Sequence, residues 1–227
     1  VGLWRYNADG IDVCNSQDVT VRDCFVRAYD DALVVKGLKS VYDKRPVRNV
    51  RFSRCTLWCD WGRAIEIGAE TCAPEIADVA FEDCDIVRTT HIAMDIQHGD
   101  RAAVRDIRFQ NIRVEIDPTN PGPRMQKAPG ETYPGHDGEA HLPALMTLVI
   151  FKTFYSKDEA RGTIRNVLFK DIDVFSAQMP PSSFRGFDAE HGIDGVTIEN
   201  LRLNGQPVRD AAAARLSIGA HVRNVRF

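Results

Sequence analysis

Six segments of this chain share one pattern, and their spacing limits the fold more than any other feature. They read VTVRDCFV (19–26), VRFSRCTL (50–57), VAFEDCDI (79–86), IRFQNIRV (107–114), VLFKDIDV (167–174) and VTIENLRL (196–203). Each is apolar–x–apolar–x–polar–apolar–x–apolar. The sixth position is held by Cys24, Cys55, Cys84, Ile112, Ile172 and Leu201, at intervals of 31, 29, 28, 60 and 29 residues. The long interval equals two periods, or one period with an insertion. A fragment, VRF (225–227), closes the chain.

Alternation with period two, in segments rich in β-branched and aromatic residues, marks strands. A second strand-like block follows the first copies: DALVVKG (31–37), RAIEIGA (63–69) and IAMDIQH (92–98), with LVIFKTF (148–154) and FRGFDAE (184–190) as later candidates. DGIDVCN (9–15) is an upstream copy. No useful stretch carries a 3.6-residue apolar stripe, and Ala211–Arg215 is the best, short, helical candidate. Strands recurring at this period without intervening helices predict an all-β fold, a right-handed parallel β-helix of six to seven coils, about 30 Å long at the strand spacing. A leucine-rich repeat would need a leucine spine that is absent. A β-sandwich would not keep the same residue type at the same position from copy to copy.

In this frame Cys24, Cys55 and Cys84 alternate with Ile and Leu at one inward position, which predicts a core column in which Cys acts as a small hydrophobe. Cys14, Cys59 and Cys72 lie elsewhere on the coil, with a disulfide among them possible but unsupported by the spacing. The Asp and Asn residues at 23, 83, 111, 171 and 200 precede the ladder residue and are expected at a bend. Residues 117–147, rich in Pro and Gly, read as a loop inserted into the fourth coil, long enough to wall a cleft. The whole chain, 1–227, reads as one solenoid domain. It opens on Val1 with no cap before the first coil, so the expectation is the C-terminal part of a longer β-helix.

Composition removes several classes of function. Hydrophobic residues make up 44% and charged residues 27% of 227, with a net charge of −3. A disordered chain is excluded, and no basic field is present for a nucleic acid. No apolar run reaches the ~18–20 residues of a membrane helix, and no signal peptide is visible.

Aligning the second strand block sets Asp9-Gly10-Ile11 against Asp31-Ala32-Leu33, Arg63-Ala64-Ile65 and Ile92-Ala93-Met94. Asp9 and Asp31 then occupy the same register on adjacent coils, with Asp30 beside them. Three carboxylates in one patch cannot all ionise freely, and a shared proton supplies an acid next to a base.

NADGIDV (7–13) followed by YDDALVVKG (29–37) resembles the signature of glycoside hydrolase family 28, the polygalacturonases. The three-Asp arrangement is also similar to that of the α-glucanases of families 49 and 87. The resemblance implies inverting hydrolysis of an α-linked glycan with Asp9, Asp30 and Asp31 as catalytic residues. Asp30 would protonate the leaving oxygen, Asp9 and Asp31 would hold and deprotonate water, and Asn7 would support the site by hydrogen bonding.

Two departures bear on substrate. Where polygalacturonases carry Gly-His-Gly, this chain has Gly62-Arg63-Ala64; where they carry Arg-Ile-Lys, which grips the uronate, it has Asp95-Ile96-Gln97. Without those cations galacturonan loses its handles, and a neutral α-linked glycan is expected. Lys36, Trp61, Arg63, Glu66, His91, Asp95 and Lys152 are candidate substrate contacts, with Trp58, His98, Asp188 and His191 as weaker ones. No metal or redox cofactor is required. A carbohydrate is the expected partner; neither nucleic acid nor membrane is, and oligomeric state is open. A polymer substrate implies secretion or export to the periplasm. Two other classes stay open: a non-catalytic glycan-binding or adhesive solenoid, and a calcium-dependent polysaccharide lyase with Arg63 as base.

Overall fold

A computed structural model describes residues 5–39, 44–117, 126–131 and 143–227. The strands, in chain order, are β1 (Ile11–Cys14), β2 (Gln17–Arg22), β3 (Phe25–Ala28), β4 (Leu33–Gly37), β5 (Val47–Ser53), β6 (Thr56–Cys59), β7 (Arg63–Thr71), β8 (Glu75–Arg88) and β9 (Ile92–His98). They continue as β10 (Ala103–Ile116), β11 (Ala144–Ile150), β12 (Thr163–Ser176), β13 (Ser182–Arg185), β14 (Ile193–Leu203), β15 (Gln206–Val208), β16 (Leu216–Ile218) and β17 (Val222–Arg226). One sheet has seven strands in the order β1-β4-β7-β9-β11-β13-β16, and the other has ten, with β2, β5, β8, β10, β12 and β14 stacked in sequence. Pairing is parallel except between β14 and β15. The chain is a parallel β-helix, as the repeat predicts.

The register is that of the repeat. Ile112 pairs directly with Ile172, so the 60-residue interval is one coil plus an insertion. The insertion ends earlier than expected, because β11 already begins at Ala144. Residues 118–125 and 132–142 of it lie outside the described residues. Two strand boundaries also differ. The block at 148–154 leaves the sheet after Ile150, where a turn closes through Ser156 N–H to Thr153 O at 3.1 Å. In the block at 184–190 only Phe184 and Arg185 are strand, since Gly186 begins a turn closed by Phe187 N–H to His191 O at 2.9 Å. Ala211–Arg215 forms a turn, not a helix, and ends at Arg215 with φ 48°. Among the described residues no helix is long and apolar enough to cross a membrane.

Inward positions stack coil on coil. Phe52, Phe81, Phe109 and Phe169 form a ladder with ring centroids 4.9, 5.3 and 4.8 Å apart and ring planes nearly parallel, with Phe184 continuing it at 6.2 Å. The strand spacing dictates the ring spacing. Beside it run Cys55, Cys84, Ile112, Ile172 and Leu201, all buried, with Cys24 partly exposed at the end. All six cysteines are free. Phe109, in the middle of the stack, is fully buried. Phe109→Ala is expected to cost about 3–5 kcal/mol, readable as a lowered urea midpoint.

The bends are built from residues that tolerate left-handed backbone. Asp23, Arg54, Asp83, Asn111, Asp171 and Asn200 all have φ between 52° and 57°. A second ladder of the same kind, unforeseen from the repeat, runs through Asp18, Asn49, Asp78, Asp106, Asn166 and Asn224, with Gly195 in the same role. Asx side chains ease this conformation by local hydrogen bonding. They also bond between coils: Asn49 to Asp18 at 2.6 Å, Asn111 to Asp83 at 2.7 Å, Asn166 to Asp106 at 2.6 Å.

Candidate active site

The seven-stranded sheet positions the site. Its first strands pair Ile11 with Leu33, Leu33 with Ile65 and Ile65 with Met94, the register expected from alignment. At the entry to these strands the backbone forms its own ladder: Gly10 N–H to Asp31 O at 2.7 Å, Asp30 N–H to Ala8 O at 3.1 Å, Ala32 N–H to Arg63 O at 2.9 Å. The close approach requires glycine. A Cβ on Gly10 would lie 2.4 Å from Ala32 O, and one on Gly62 would lie 2.5 Å from the Asp30 carbonyl carbon. Side chains there have no room.

Asp9, Asp30 and Asp31 each place a carboxylate oxygen within 4.8 Å of the others. Asp30 and Asp31 are 6% and 7% exposed. Burial, reinforced by the charges of Asp31 and Asp9, pushes the Asp30 carboxyl up from 3.8 to about 7. Arg63 and the Asn7 backbone amide only partly oppose this. Asn7 therefore acts through its main chain, at φ 56°. Lys36 Nζ donates to Asp9 at 2.7 Å and to Asp12 at 3.0 Å. Burial opposes its charge, yet the two carboxylates outweigh burial and raise its pKa.

Asp31 accepts the Arg63 backbone N–H at 2.9 Å, with the guanidinium 3.9 Å away. Arg63 Nε lies 3.4 Å from Asp95, whose other contact is Gln97 Nε2 at 3.2 Å. Burial disfavours the Arg63 charge, but Glu66, Asp95, Asp31 and Asp30 together raise its pKa. The surrounding carboxylates therefore favour the charged form of Arg63.

Above this floor lies a cavity of about 730 Å³, lined in part by Asn7, Asp9, Asp30, Asp31, Lys36, Trp61, Arg63 and Glu66. Its volume is that of a small-ligand site. Trp61 stacks parallel on Tyr29 at 6.0 Å, and His91 packs against its ring at 5.8 Å, behind the cavity wall. Asp95 is fully buried beneath Arg63 and does not line the cavity. Lys152 points away and pairs with Glu159 at 3.0 Å. Trp58 sits between Arg27 and Arg88 and donates to Asp60 at 2.9 Å, so it packs a corner of the other sheet. His98 is fully buried against Thr71 at 2.7 Å, and burial lowers its pKa to about 4. His191 pairs with Asp188 in the turn after β13, outside the cavity.

Several lining residues were not singled out from the repeat: Tyr6, Glu70, Gln97, Phe151, Thr153, Phe154 and Tyr155. The turn after β11 brings four of them over the site. Tyr155 meets Tyr6 across the cavity, hydroxyl to hydroxyl at 3.2 Å. Phe154 packs on Tyr155 at 3.9 Å and is 81% exposed, an open aromatic face at the rim. The aromatic run FKTFY (151–155) is the one signal that could have pointed to them.

The family model for glycosyl hydrolases family 28 matches residues 5–120, a span that contains all three aspartates. The chain belongs to this family. It is a glycoside hydrolase, and the parallel β-helix agrees with that assignment. No curated protein matches it. Among the described lining residues the cations are Lys36 and Arg63, and both are already paired with carboxylates.

Proposed function

We propose that the protein hydrolyses an α-linked glycan that is uncharged at the reacting sugar, with Asp30 as general acid and Asp9 with Asp31 holding and deprotonating the attacking water. The observation that carries this reading is the carboxyl cluster on the cavity floor, with Asp30 pushed up to about 7 beside its neighbours. An acid whose pKa matches the working pH still holds its proton yet gives it up readily, worth typically 10²–10⁴-fold. Asp31 is oriented by the Arg63 amide and Asp9 by Lys36, so each faces the cluster in a fixed pose. Proton transfer to the glycosidic oxygen breaks the bond to the leaving sugar as water attacks the anomeric carbon and yields its proton to the base.

Among the described lining residues both cations are already paired, which favours neutral poly- or oligosaccharides as substrates. Phe154 offers an open face for a sugar ring, with the edge of Trp61 at the cavity wall. A substrate of polymer size implies a secreted or periplasmic protein. Incubation with a panel of plant, algal and microbial α-glycans should release reducing ends from a neutral glycan and not from polygalacturonate. EDTA should leave the rate unchanged, and no unsaturated product absorbing in the ultraviolet should form. Binding without release over long incubation would instead favour the glycan-binding solenoid.

The carboxyl spacing favours one competing stereochemistry. Oxygens within 4.8 Å are nearer the ~5 Å of retaining enzymes than the ~6.5–9.5 Å that lets water stand between two carboxylates. With three carboxylates, water can be gripped jointly by Asp9 and Asp31, beside Asp30 and not between two groups, and this permits inversion. Proton NMR of the first-formed product decides: the β-anomer is expected, and the α-anomer would make Asp9 or Asp31 a nucleophile.

A further inference from the structure

One guanidinium serves three carboxyl groups beneath the aspartate cluster. Arg63 lies 3.9 Å from Asp31 and 3.4 Å from Asp95, and Glu66 shares the same space. Glu66 sits on β7, in register with Val34 of β4 on one side and Asp95 of β9 on the other. It is 1% exposed, and its Oε2 is buried without a hydrogen-bond partner. The charged and titratable groups facing it are Asp31 from the turn before β4, Arg63 of its own strand and Asp95 from β9. From the turn after β11, Phe151, Thr153, Phe154 and Tyr155 look across the cavity, with Tyr155 the one titratable group among them.

Counting charge gives an answer. Arg63 balances one of the carboxylates, and its nearest contacts are Asp31 and Asp95. A third ionised carboxylate, fully buried and sharing that one cation with the other two, is prohibitively costly. We propose that Glu66 is a positioning residue for Asp31: a neutral carboxylic acid whose O–H is held against the Asp31 carboxylate and fixes the base in its working orientation. The inference rests on Asp31 acting as base in the reaction proposed above. Burial, then the neighbouring Asp31, raises the Glu66 carboxyl well above its usual range, as a hydrogen bond from the acid to Asp31 requires. Arg63 and Asp95 complete the support, with Gln97 bracing Asp95.

The state of Glu66 can be read without any substrate. Infrared difference spectra of the whole chain at pH 8 lie above the titrations of Asp30, near 7, and Asp95, near 6. A protonated-carboxyl band is expected at pH 8 in the wild type and in Asp30→Asn, and is absent in Glu66→Gln. On the glycan that the wild type hydrolyses, Glu66→Gln should recover most of the kcat that Glu66→Ala loses, because an amide also donates to Asp31. Glu66→Ala should lower kcat by about 10–100-fold with KM little changed. Absence of the band, or a loss in Glu66→Gln as deep as that of Asp31→Asn, would overturn the proposal, the latter by showing that ionised Glu66 is needed. A wild type that hydrolyses no glycan would defeat the hydrolytic reading alone, and the infrared result would still decide the state of Glu66.

Discussion

Replacing Asp30 with Asn should remove at least about 10³-fold of the hydrolytic rate and, at alkaline pH, make the protein more stable. Both effects have one origin. The fold holds the Asp30 carboxyl in a place where its charge is unwelcome, and this raises its pKa from 3.8 to about 7. The sign follows from linkage. A raised pKa means that the folded state binds the proton more tightly than the unfolded state does. That contribution is fully present below about pH 4 and is lost as pH climbs through about 7. Above that range the wild type carries a buried charge that the Asn variant lacks. The difference is on the order of 2–4 kcal/mol, and the charges of Asp31 and Asp9 contribute to it after burial. Thermal melts at pH 5 and pH 8 should show the variant's advantage growing with pH. An active Asp30→Asn protein would remove Asp30 from the role of acid.

Gly62→Ala should damage the site severely while leaving every charged group in place. The new methyl would lie 2.5 Å from the Asp30 carbonyl carbon, 2.6 Å from its carboxylate Oδ1 and 2.7 Å from the Asp31 amide nitrogen. Two of these atoms are backbone, so relief requires moving the Asp30-Asp31 segment itself. A shift approaching 1 Å in a reacting group can cost about 10²-fold in rate, and overpacking of this kind costs about 1–3 kcal/mol. Rate and melting temperature measured together test this. An unchanged rate with unchanged stability would mean that the two coils are not locked as closely as the backbone ladder suggests.

How far the sequence could be read depends on what repetition reaches. Equivalent positions in successive coils must pair, so register followed from alignment, and with it the meeting of Asp9, Asp30, Asp31, Arg63 and Glu66. The bends followed too, because Asp and Asn suit left-handed backbone. Repetition does not reach past a strand's end. Lys152 was placed in a strand column, but β11 stops at Ile150 and its ammonium turns to Glu159. Trp58 and Trp61 stand three residues apart and part company, since the chain leaves β6 at Cys59 and turns before β7. Tyr155 and Tyr6 meet from 149 residues apart, through a coil lengthened by the insertion, and no period announces such a contact.

The most direct measurement is the pH dependence of kcat/KM for the glycan from which the protein releases reducing ends. Asp30 must carry its proton to act, so the rate should fall on the alkaline side with a midpoint near pH 7, the value to which burial and the neighbouring carboxylates bring it. A rate that holds constant or keeps rising beyond pH 8 would contradict the assignment of Asp30 as the acid.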